Sequence, residues 1–268
     1  MLLFWPCSWG LTLAYDFSTQ LNNYFFYLIL FFLGSVLMRS AGCIVNDILD
    51  KEFDKKVFRT KDRPIASNQI SIKLGIFYVI ILCFLALLVL LNFNSFTIFL
   101  ALGSMPLAFT YPLMKRFTYW PQLFLGITFN YGLILGWTAI KGQIDFVPII
   151  FYLGAIFWTL GYDTIYGYQD IKDDEIIGLK STSIKFKNNP HKFLIICYSV
   201  FLLNLLITGL FMELNNFYYL VFMVIFLQIF YYQLKKLDIK NNIKCLTIFK
   251  SNNILGFLVF FGLIIGKI

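Results

Sequence analysis

The sequence has little charge: only 13% of its 268 residues are Asp, Glu, Lys or Arg, whereas a soluble domain averages about 25%. Hydrophobic residues make up 59% of the chain, and they form long runs. A transmembrane helix needs about 20 apolar residues, so this length suits a bundle of many spanning helices. We therefore expect an all-α, polytopic membrane protein with a single domain over residues 1–268.

The sequence also lacks the side chains on which several kinds of active site depend. His191 is the only histidine, which argues against a histidine-based metal site or a Ser-His-Asp triad. The five cysteines stand singly, mostly within apolar runs, and are interpreted as small buried hydrophobic residues. Residues 178–182 read Gly-Leu-Lys-Ser-Thr, and they lack the remaining glycines of a phosphate-binding loop.

The apolar runs predict about nine transmembrane helices, which would surround a central cavity. The predicted spans are about 1–16, 22–49, 71–92, 95–111, 118–140, 146–168, 192–212, 216–234 and 247–266. Nineteen of the 22 Lys and Arg residues lie near the ends of the second, fourth, sixth and eighth spans. Cytoplasmic loops collect such charge, so we expect the N-terminus inside and the C-terminus outside. The net charge of +8 then has a topological explanation, and no nucleic-acid partner is expected.

A first cluster of oxygen ligands follows the second predicted span. Asn46, Asp50 and Asp54 are spaced by four residues, so on a helix that turns about 100° per residue they lie within roughly 80° of one another. Arg39 lies two turns earlier on the same face. Ligands that converge in this way suit Mg²⁺, which prefers carboxylate and phosphate oxygens.

A second cluster follows the sixth span. Asp163, Asp170 and Asp174 lie within about 40° of one another by the same arithmetic, whereas Asp173 points away. A solvated helix end is the alternative interpretation of either cluster. Carboxylates near membrane depth are costly and usually face a cavity or a partner. Two aligned clusters at one membrane face therefore favour a shared metal site.

Candidate phosphate-binding cations lie between the two clusters. Arg63 follows the first cluster, and Lys115 and Arg116 end the fourth span beside Tyr111. Arginine binds phosphate oxygens as a fork, so carboxylates, Mg²⁺ and these cations together predict a diphosphate site. The lysines of residues 235–250 are interpreted only as cytoplasmic-side charge.

Residues 46–54 and 163–174 resemble the two Asp-rich motifs of the UbiA-type membrane prenyltransferase superfamily, and the resemblance covers nearly the whole chain. Two further phrases are similar to the 4-hydroxybenzoate polyprenyltransferases of ubiquinone synthesis. Residues 59–65 read Arg-Thr-Lys-Asp-Arg-Pro-Ile, and residues 111–122 read Tyr-Pro-Leu-Met-Lys-Arg-Phe-Thr-Tyr-Trp-Pro-Gln. Protoheme farnesyltransferases and 1,4-dihydroxy-2-naphthoate prenyltransferases match the second phrase less well.

The resemblance implies a Mg²⁺-dependent reaction in the bilayer of a bacterial plasma (inner) membrane, with the active site facing the cytoplasm. A polyprenyl diphosphate would ionise and release diphosphate, its prenyl cation would be attacked by the ring carbon ortho to the hydroxyl of 4-hydroxybenzoate, and that carbon would then lose its proton. The implied metal ligands are Asn46, Asp50, Asp54, Asp163, Asp170 and Asp174. The implied catalytic residues are Asp50, Asp163, Asp170 and Arg116. The implied substrate-binding residues are Arg39, Arg63, Tyr111, Lys115 and Arg116. Arg39 and Arg116 are both candidates for the acceptor carboxylate.

Two alternatives stay open at this point. One is a member of the same superfamily with another acceptor, namely 1,4-dihydroxy-2-naphthoate, homogentisate or protoheme. The other is an ion-coupled transporter, which would place acids near the bilayer centre on broken helices. The acids here are predicted at helix ends on one face, which disfavours a transporter.

The predicted first span departs from the superfamily pattern. Relatives usually begin with a segment that carries Arg and Pro-x-Gly, whereas here the apolar run starts at Leu2. About 15 residues reach only about 22 Å, against a hydrocarbon core of about 30 Å. We therefore expect the native chain, or that of its close relatives, to begin upstream of Met1. The alternatives are a genuinely short helix, tolerated by tilted neighbours or a locally thinned bilayer, and a truncated gene.

Overall fold

The computed structural model describes residues 1–18 and 21–268, and the regular structure within them is helical. The elements are α1 (Phe4–Ala14), α2 (Leu21–Asp54), α3 (Ile72–Leu90), α4 (Ser95–Thr110), a 3₁₀ turn (Tyr111–Leu113), α5 (Met114–Phe117), α6 (Pro121–Lys141), α7 (Phe146–Gly167), α8 (Ile171–Ile177), α9 (Thr182–Lys185), α10 (Pro190–Phe211), α11 (Asn216–Leu227), a π-helical stretch (Gln228–Leu234) and α12 (Asn242–Lys267).

Eight helical segments within the described ranges are long and apolar enough to cross a membrane. The predicted all-α, polytopic fold is therefore confirmed. The first of the nine predicted spans, residues 1–16, corresponds to α1, which has only 11 residues. At 1.5 Å per residue α1 is about 16 Å long, which is roughly half the thickness of the hydrocarbon core.

The short helix α1 lies inside the bundle. Ten of its 11 residues are buried, and it packs chiefly on α6, with further contacts to α12 and α2. Small residues permit this close approach, because a methyl group on Gly10 would overlap the carbonyl oxygen of Leu133 and one on Gly136 would overlap that of Cys7. A helix that is enclosed in this way does not need to match the thickness of the bilayer.

The C-terminal end of α1 is closed by a residue from the other end of the chain. Lys267 donates from Nζ to the carbonyl oxygens of Thr12, Leu13 and Tyr15 at 3.2, 2.7 and 2.5 Å. The last carbonyls of a helix have no partner within the helix, and a cation suits the negative end of its dipole. Lys267 therefore provides hydrogen bonds to the carbonyl groups at the C-terminal end of this short helix.

The periphery of the bundle is apolar and exposed, as a lipid-facing surface should be. Along α3 only Gly75 and Ala86 are buried, while Phe77, Ile80 and Phe84 point outward. The core is built instead from closely packed aromatic rings, such as Trp9 and Trp158, whose centroids are 5.0 Å apart.

The ends of three helical segments lie together on one side of the molecule. With 34 residues, α2 is about 51 Å long and exceeds the hydrocarbon core, so its last turns extend beyond it. The 3₁₀ turn at Tyr111–Leu113 ends the α4 segment, and α7 ends at Gly167. These three ends meet at one side of the bundle, where they surround a polar cavity.

Candidate active site

A cavity of about 500 Å³ lies where the ends of α2 and α7 and the start of α6 come together. Polar side chains from both predicted clusters line it. Its acidic and amide residues are Asn46, Asp47, Asp50, Asp54, Gln122, Asp163, Asp170, Asp174 and Asn253. Its cationic residues are Arg39, Arg59, Arg63, Lys115 and Lys180. Two clusters that are more than 100 residues apart in the sequence therefore share one site.

The first cluster lies on the last turns of α2. Asn46, Asp50 and Asp54 all line the cavity, as their four-residue spacing predicts. Asp50 and Asp54 are buried, with exposed fractions of only 1% and 6%. Buried carboxylates need a compensating charge, because desolvation penalises the ionised form.

The second cluster reaches the cavity by a different route from the one that the spacing predicts. The arithmetic assumed one continuous helix, but α7 ends at Gly167 and α8 begins at Ile171. Asp163 therefore lies within α7, whereas Asp170 caps α8 and Asp174 lies in its first turn. Burial raises the pKa of Asp174 to about 6, and the neighbouring carboxylate of Asp170 acts in the same direction.

Cations compensate the acids of α2. Lys115 forms an ion pair with Asp50, and Arg63 bridges Asp47 and Asp54 at 2.9 and 3.0 Å. Within residues 1–18 and 21–268, no group of three His, Cys, Asp or Glu side chains is arranged closely enough to hold a metal ion. The protein's own cations stand between carboxylates that would otherwise repel one another.

A cation from the loop after α2 compensates the second cluster. Arg59 donates to both carboxylate oxygens of Asp170, at 2.7 and 2.5 Å, and to the hydroxyl of Tyr166 at 3.0 Å. The hydrogen bond to Asp170 raises the pKa of Arg59 further above its ordinary value, so the guanidinium is always charged.

Arg39 lies deeper in the cavity and is placed differently from the other cations. Its guanidinium lies over the ring of Phe129 at 5.2 Å, and its electrostatic partners include Tyr111, Tyr162 and Asp163. No carboxylate in the described part of the chain lies within 4 Å of it. Arg39 is therefore a cation in the cavity wall that can receive a further anion.

Arg116 does not line the cavity. Its Nη2 donates to the carbonyl oxygen of Leu49 at 2.6 Å, its guanidinium lies over the ring of Phe53, and its Nη2 is 3.8 Å from Oδ1 of Asp50. The structure thus brings Lys115 into the site and turns its neighbour Arg116 against the side of α2.

An apolar groove of about 220 Å³ runs between α2, α3, α4 and α6. Arg39, Tyr111 and Phe129 line both the groove and the polar cavity, so the two spaces adjoin. The groove walls are otherwise mainly apolar, with residues such as Leu87 and Leu135. The combined space has a charged end and an apolar end.

Three charged residues of the cavity wall are absent from the sequence prediction: Asp47, Arg59 and Lys180. The sequence did contain a signal for Asp47. It precedes Asp54 by seven residues, so on a helix the two side chains lie only about 20° apart around the axis. Arg59 had a signal as well, since it begins the 59–65 phrase. Lys180 had none, because its place depends on hydrogen bonds from its backbone nitrogen to Lys115 O and from its Nζ to Phe117 O.

The chain matches known proteins over nearly its whole length. It is 43% identical over 269 residues to the mitochondrial 4-hydroxybenzoate polyprenyltransferase of Bos taurus, covering 100% of this chain and 71% of that protein. It is 39% identical over 270 residues to the 4-hydroxybenzoate octaprenyltransferase of Francisella tularensis subsp. novicida (strain U112), covering 100% of this chain and 93% of that one.

The fold is also that of a solved structure. A UbiA homolog from Archaeoglobus fulgidus bound to DMAPP and Mg²⁺ superimposes with a TM-score of 0.71 at 16% identity, over 98% of this chain and 94% of that one. The family model described as the UbiA prenyltransferase family matches residues 3–261. The resemblance that the two Asp-rich motifs suggested is therefore confirmed, and the chain belongs to the UbiA prenyltransferase family.

Proposed function

We propose that this protein transfers a polyprenyl group from a polyprenyl diphosphate to the ring carbon ortho to the hydroxyl of 4-hydroxybenzoate. The observation that carries the proposal is the cavity with a charged end and an apolar end. Diphosphate, aromatic acid and prenyl tail each have a matching surface there. Relatives that are about 40% identical over the full chain are named for this reaction, which favours it over other acceptors and over ion-coupled transport.

Mg²⁺ fits the donor chemistry of the site. We assign its binding to Asn46, Asp50, Asp54, Asp163, Asp170 and Asp174, whose oxygens are the ligands that it prefers. Oδ1 of Asp50 is buried and accepts no hydrogen bond from the described residues, so it has a lone pair to offer. The structural neighbour from Archaeoglobus fulgidus was solved with Mg²⁺ and a prenyl diphosphate. When bound, Mg²⁺ supplies positive charge that favours departure of the diphosphate.

The cations at the charged end then serve the leaving group. Lys115 and Arg63 line the cavity beside the carboxylates that they neutralise, so both are placed to donate hydrogen bonds to diphosphate oxygens. Charge-assisted hydrogen bonds to phosphate are strong, and they strengthen as negative charge develops on the departing oxygen. Asp50, Asp163 and Asp170 are catalytic in this scheme because they hold the diphosphate's counter-charge in place.

Arg39 is the better of the two candidates for the acceptor carboxylate. It lines the cavity next to Tyr111 and carries no ion pair within 4 Å in the described ranges. Arg116 is turned away from the cavity and already donates to Leu49 O. The carboxylate at Arg39 would orient the acceptor ring toward the reacting end of the prenyl chain, which gains from proximity.

The apolar groove serves the prenyl tail. Its lining is mainly apolar, so burial of a long isoprenoid there is favourable, and the groove keeps water from the allylic carbocation. The aromatic rings of Tyr111 and Phe129 lie where the groove meets the cavity, and their π-faces can stabilise a positive charge.

The protein is a multi-pass membrane protein, and we place its polar cavity on the cytoplasmic side of a bacterial plasma membrane. The support is the charge pattern: Lys and Arg concentrate in the connections at the cavity end of the bundle. Prenyl diphosphate and 4-hydroxybenzoate would both reach the site from that side.

A direct assay tests the function. Membranes that contain the protein are incubated with radiolabelled geranyl diphosphate and Mg²⁺, and with 4-hydroxybenzoate, 1,4-dihydroxy-2-naphthoate or homogentisate as the acceptor. We expect labelled product only with 4-hydroxybenzoate, and none in the presence of a chelator. Equal product from another acceptor, or full activity with the chelator, would refute the proposal.

A further inference from the structure

Two loops lie at the mouth of the cavity, and one side chain connects them by hydrogen bonds. Residues 55–70 come from the end of α2, and residues 168–181 include α8. Arg59 crosses from the first loop and holds Asp170 of the second through two hydrogen bonds of 2.7 and 2.5 Å. The backbone nitrogen of Phe58 adds a longer contact of 3.4 Å to Asp173.

The rest of the first loop is fixed to its own side of the cavity. Arg63 is held by Asp47 and Asp54, and Thr60 donates from its hydroxyl to Asp54 O at 3.2 Å. Ile65 is buried, with an exposed fraction of 4%, and packs against Gly75 of α3. Only the tip of the loop, residues 58 and 59, therefore depends on the second motif for its position.

Arg59 conflicts with the function assigned to Asp170. Both oxygens of that carboxylate accept from the guanidinium, so their best lone pairs are not available to a cation. The charge on Arg59 also repels any cation that approaches Asp170. A prenyl diphosphate brings phosphate oxygens, which bind an arginine fork as well as a carboxylate does.

We propose that Arg59 is a counter-ion that changes partners. In the ligand-free protein it neutralises Asp170 and holds the loop tip across the cavity mouth. When Mg²⁺ and a prenyl diphosphate bind, it leaves Asp170 to the metal and donates instead to diphosphate oxygens. This inference rests on the diphosphate part of the proposed function but not on the identity of the acceptor.

Tyr166 contacts the guanidinium of Arg59 independently of Asp170. Its hydroxyl accepts from Nη1 of Arg59 at 3.0 Å, and the guanidinium lies 5.3 Å from the centre of its ring. Tyr166 lines the cavity itself and packs on Phe249, with ring centroids 4.5 Å apart. The guanidinium can thus release Asp170 and rotate toward the cavity while Tyr166 keeps it at the mouth.

The test compares Arg59→Gln with Lys61→Gln in the purified, detergent-solubilised protein. Lys61 lies in the same loop and lies over the ring of Phe58 at 4.8 Å, and it does not line the cavity. Both variants remove one positive charge from the loop. Isothermal titration measures the binding of Mg²⁺ alone, and then of geranyl diphosphate in saturating Mg²⁺.

Arg59→Gln should shift the two affinities in opposite directions. Mg²⁺ alone should bind several-fold more tightly, because its competitor at Asp170 is gone. Geranyl diphosphate should bind about tenfold more weakly, because its hydrogen-bond donor is gone. Lys61→Gln should change neither affinity by more than about twofold. Hydrogen exchange of residues 55–61 in the ligand-free protein should speed up in Arg59→Gln and not in Lys61→Gln.

Three outcomes would overturn the partner exchange. Weaker binding of both ligands by Arg59→Gln would show that Arg59 only supports the fold of the site, and unchanged binding of both would show that it takes no part. A wild-type protein that binds neither Mg²⁺ nor geranyl diphosphate would overturn the exchange and the proposed function together. Opposite shifts in a protein that does not prenylate 4-hydroxybenzoate would sustain the exchange and refute only the acceptor.

Discussion

Carboxylates of the cavity are paired with cations. Asp50 is paired with Lys115, Asp54 with Arg63 and Asp170 with Arg59. Breaking a buried pair by removing one partner is costly, because it leaves an uncompensated charge. Substitutions in the cavity should therefore preserve shape, and an amide in place of a carboxylate is the mildest change that removes a metal ligand.

Asp50→Asn and Asp170→Asn should each lower prenyl transfer by more than about 100-fold, because a lost anionic ligand removes several kcal/mol of transition-state stabilisation. Turnover is measured in membranes with matched protein content. Asp62→Asn is the control, because Asp62 is exposed on the loop after α2 and does not line the cavity. Turnover near that of wild type in either cavity variant would contradict the metal assignment.

Arg39→Gln should raise KM for 4-hydroxybenzoate by about tenfold or more, since a charge-assisted fork to a carboxylate is lost. KM for the prenyl diphosphate should change less. Arg116→Gln should leave the acceptor KM within about twofold of wild type, because Arg116 does not line the cavity and already donates to Leu49 O. A larger effect on the acceptor KM from Arg116→Gln than from Arg39→Gln would reverse the assignment.

At the scale of elements, the bundle accommodates one helix that is too short to span. α1 is enclosed by α6, α12 and α2, and its end is satisfied by Lys267 rather than by water. Each unpaired carbonyl group within a membrane protein costs free energy. The Lys267 side chain therefore supplies the hydrogen-bond donors that further turns of α1 would have provided.

Lys267→Met should destabilise the protein by about 2 kcal/mol, because it leaves carbonyl groups of α1 without a donor. The midpoint of thermal unfolding in detergent should fall by several degrees. Lys141→Met is the matched control, because Lys141 is exposed at the end of α6 and also ends an apolar helix. Equal unfolding midpoints for the two variants would show that the cap contributes nothing.

At the scale of the whole molecule, the fold brings charge to one side. Both Asp-rich motifs and their cations share the cavity end of the bundle, whereas Lys267 and the α6 end at Lys141 belong to the opposite end. We predict that the cavity end faces the cytoplasm, in agreement with the distribution of Lys and Arg.

Cysteine labelling tests this topology. Single cysteines at Glu52, Glu175 or Lys141 are introduced after the native cysteines are replaced, since all three positions are exposed. An impermeant maleimide added to sealed cells should label only the Lys141 position. Glu52 and Glu175 should react after the membrane is opened. Labelling of Glu52 or Glu175 in sealed cells would place the cavity on the outer side.

Local physical chemistry determined much of this protein from its sequence alone. Long apolar runs leave a chain no alternative to spanning helices, because unpaired backbone groups are too costly in lipid. The four-residue spacing of Asn46, Asp50 and Asp54 placed them on one face, since α2 is an uninterrupted helix. The two Asp-rich motifs carried the family resemblance, and the alternating Lys and Arg content placed both motifs on one side.

Only the tertiary structure decided which cations reach the cavity. Lys115 and Arg116 are neighbours in the sequence, yet one pairs with Asp50 inside the site and the other turns against Leu49 and Phe53. Arg59 and Asp170 lie 111 residues apart, and Lys267 reaches α1 from the far end of the chain. Such pairings depend on how whole helices pack, and packing sums many weak contacts that no local spacing encodes.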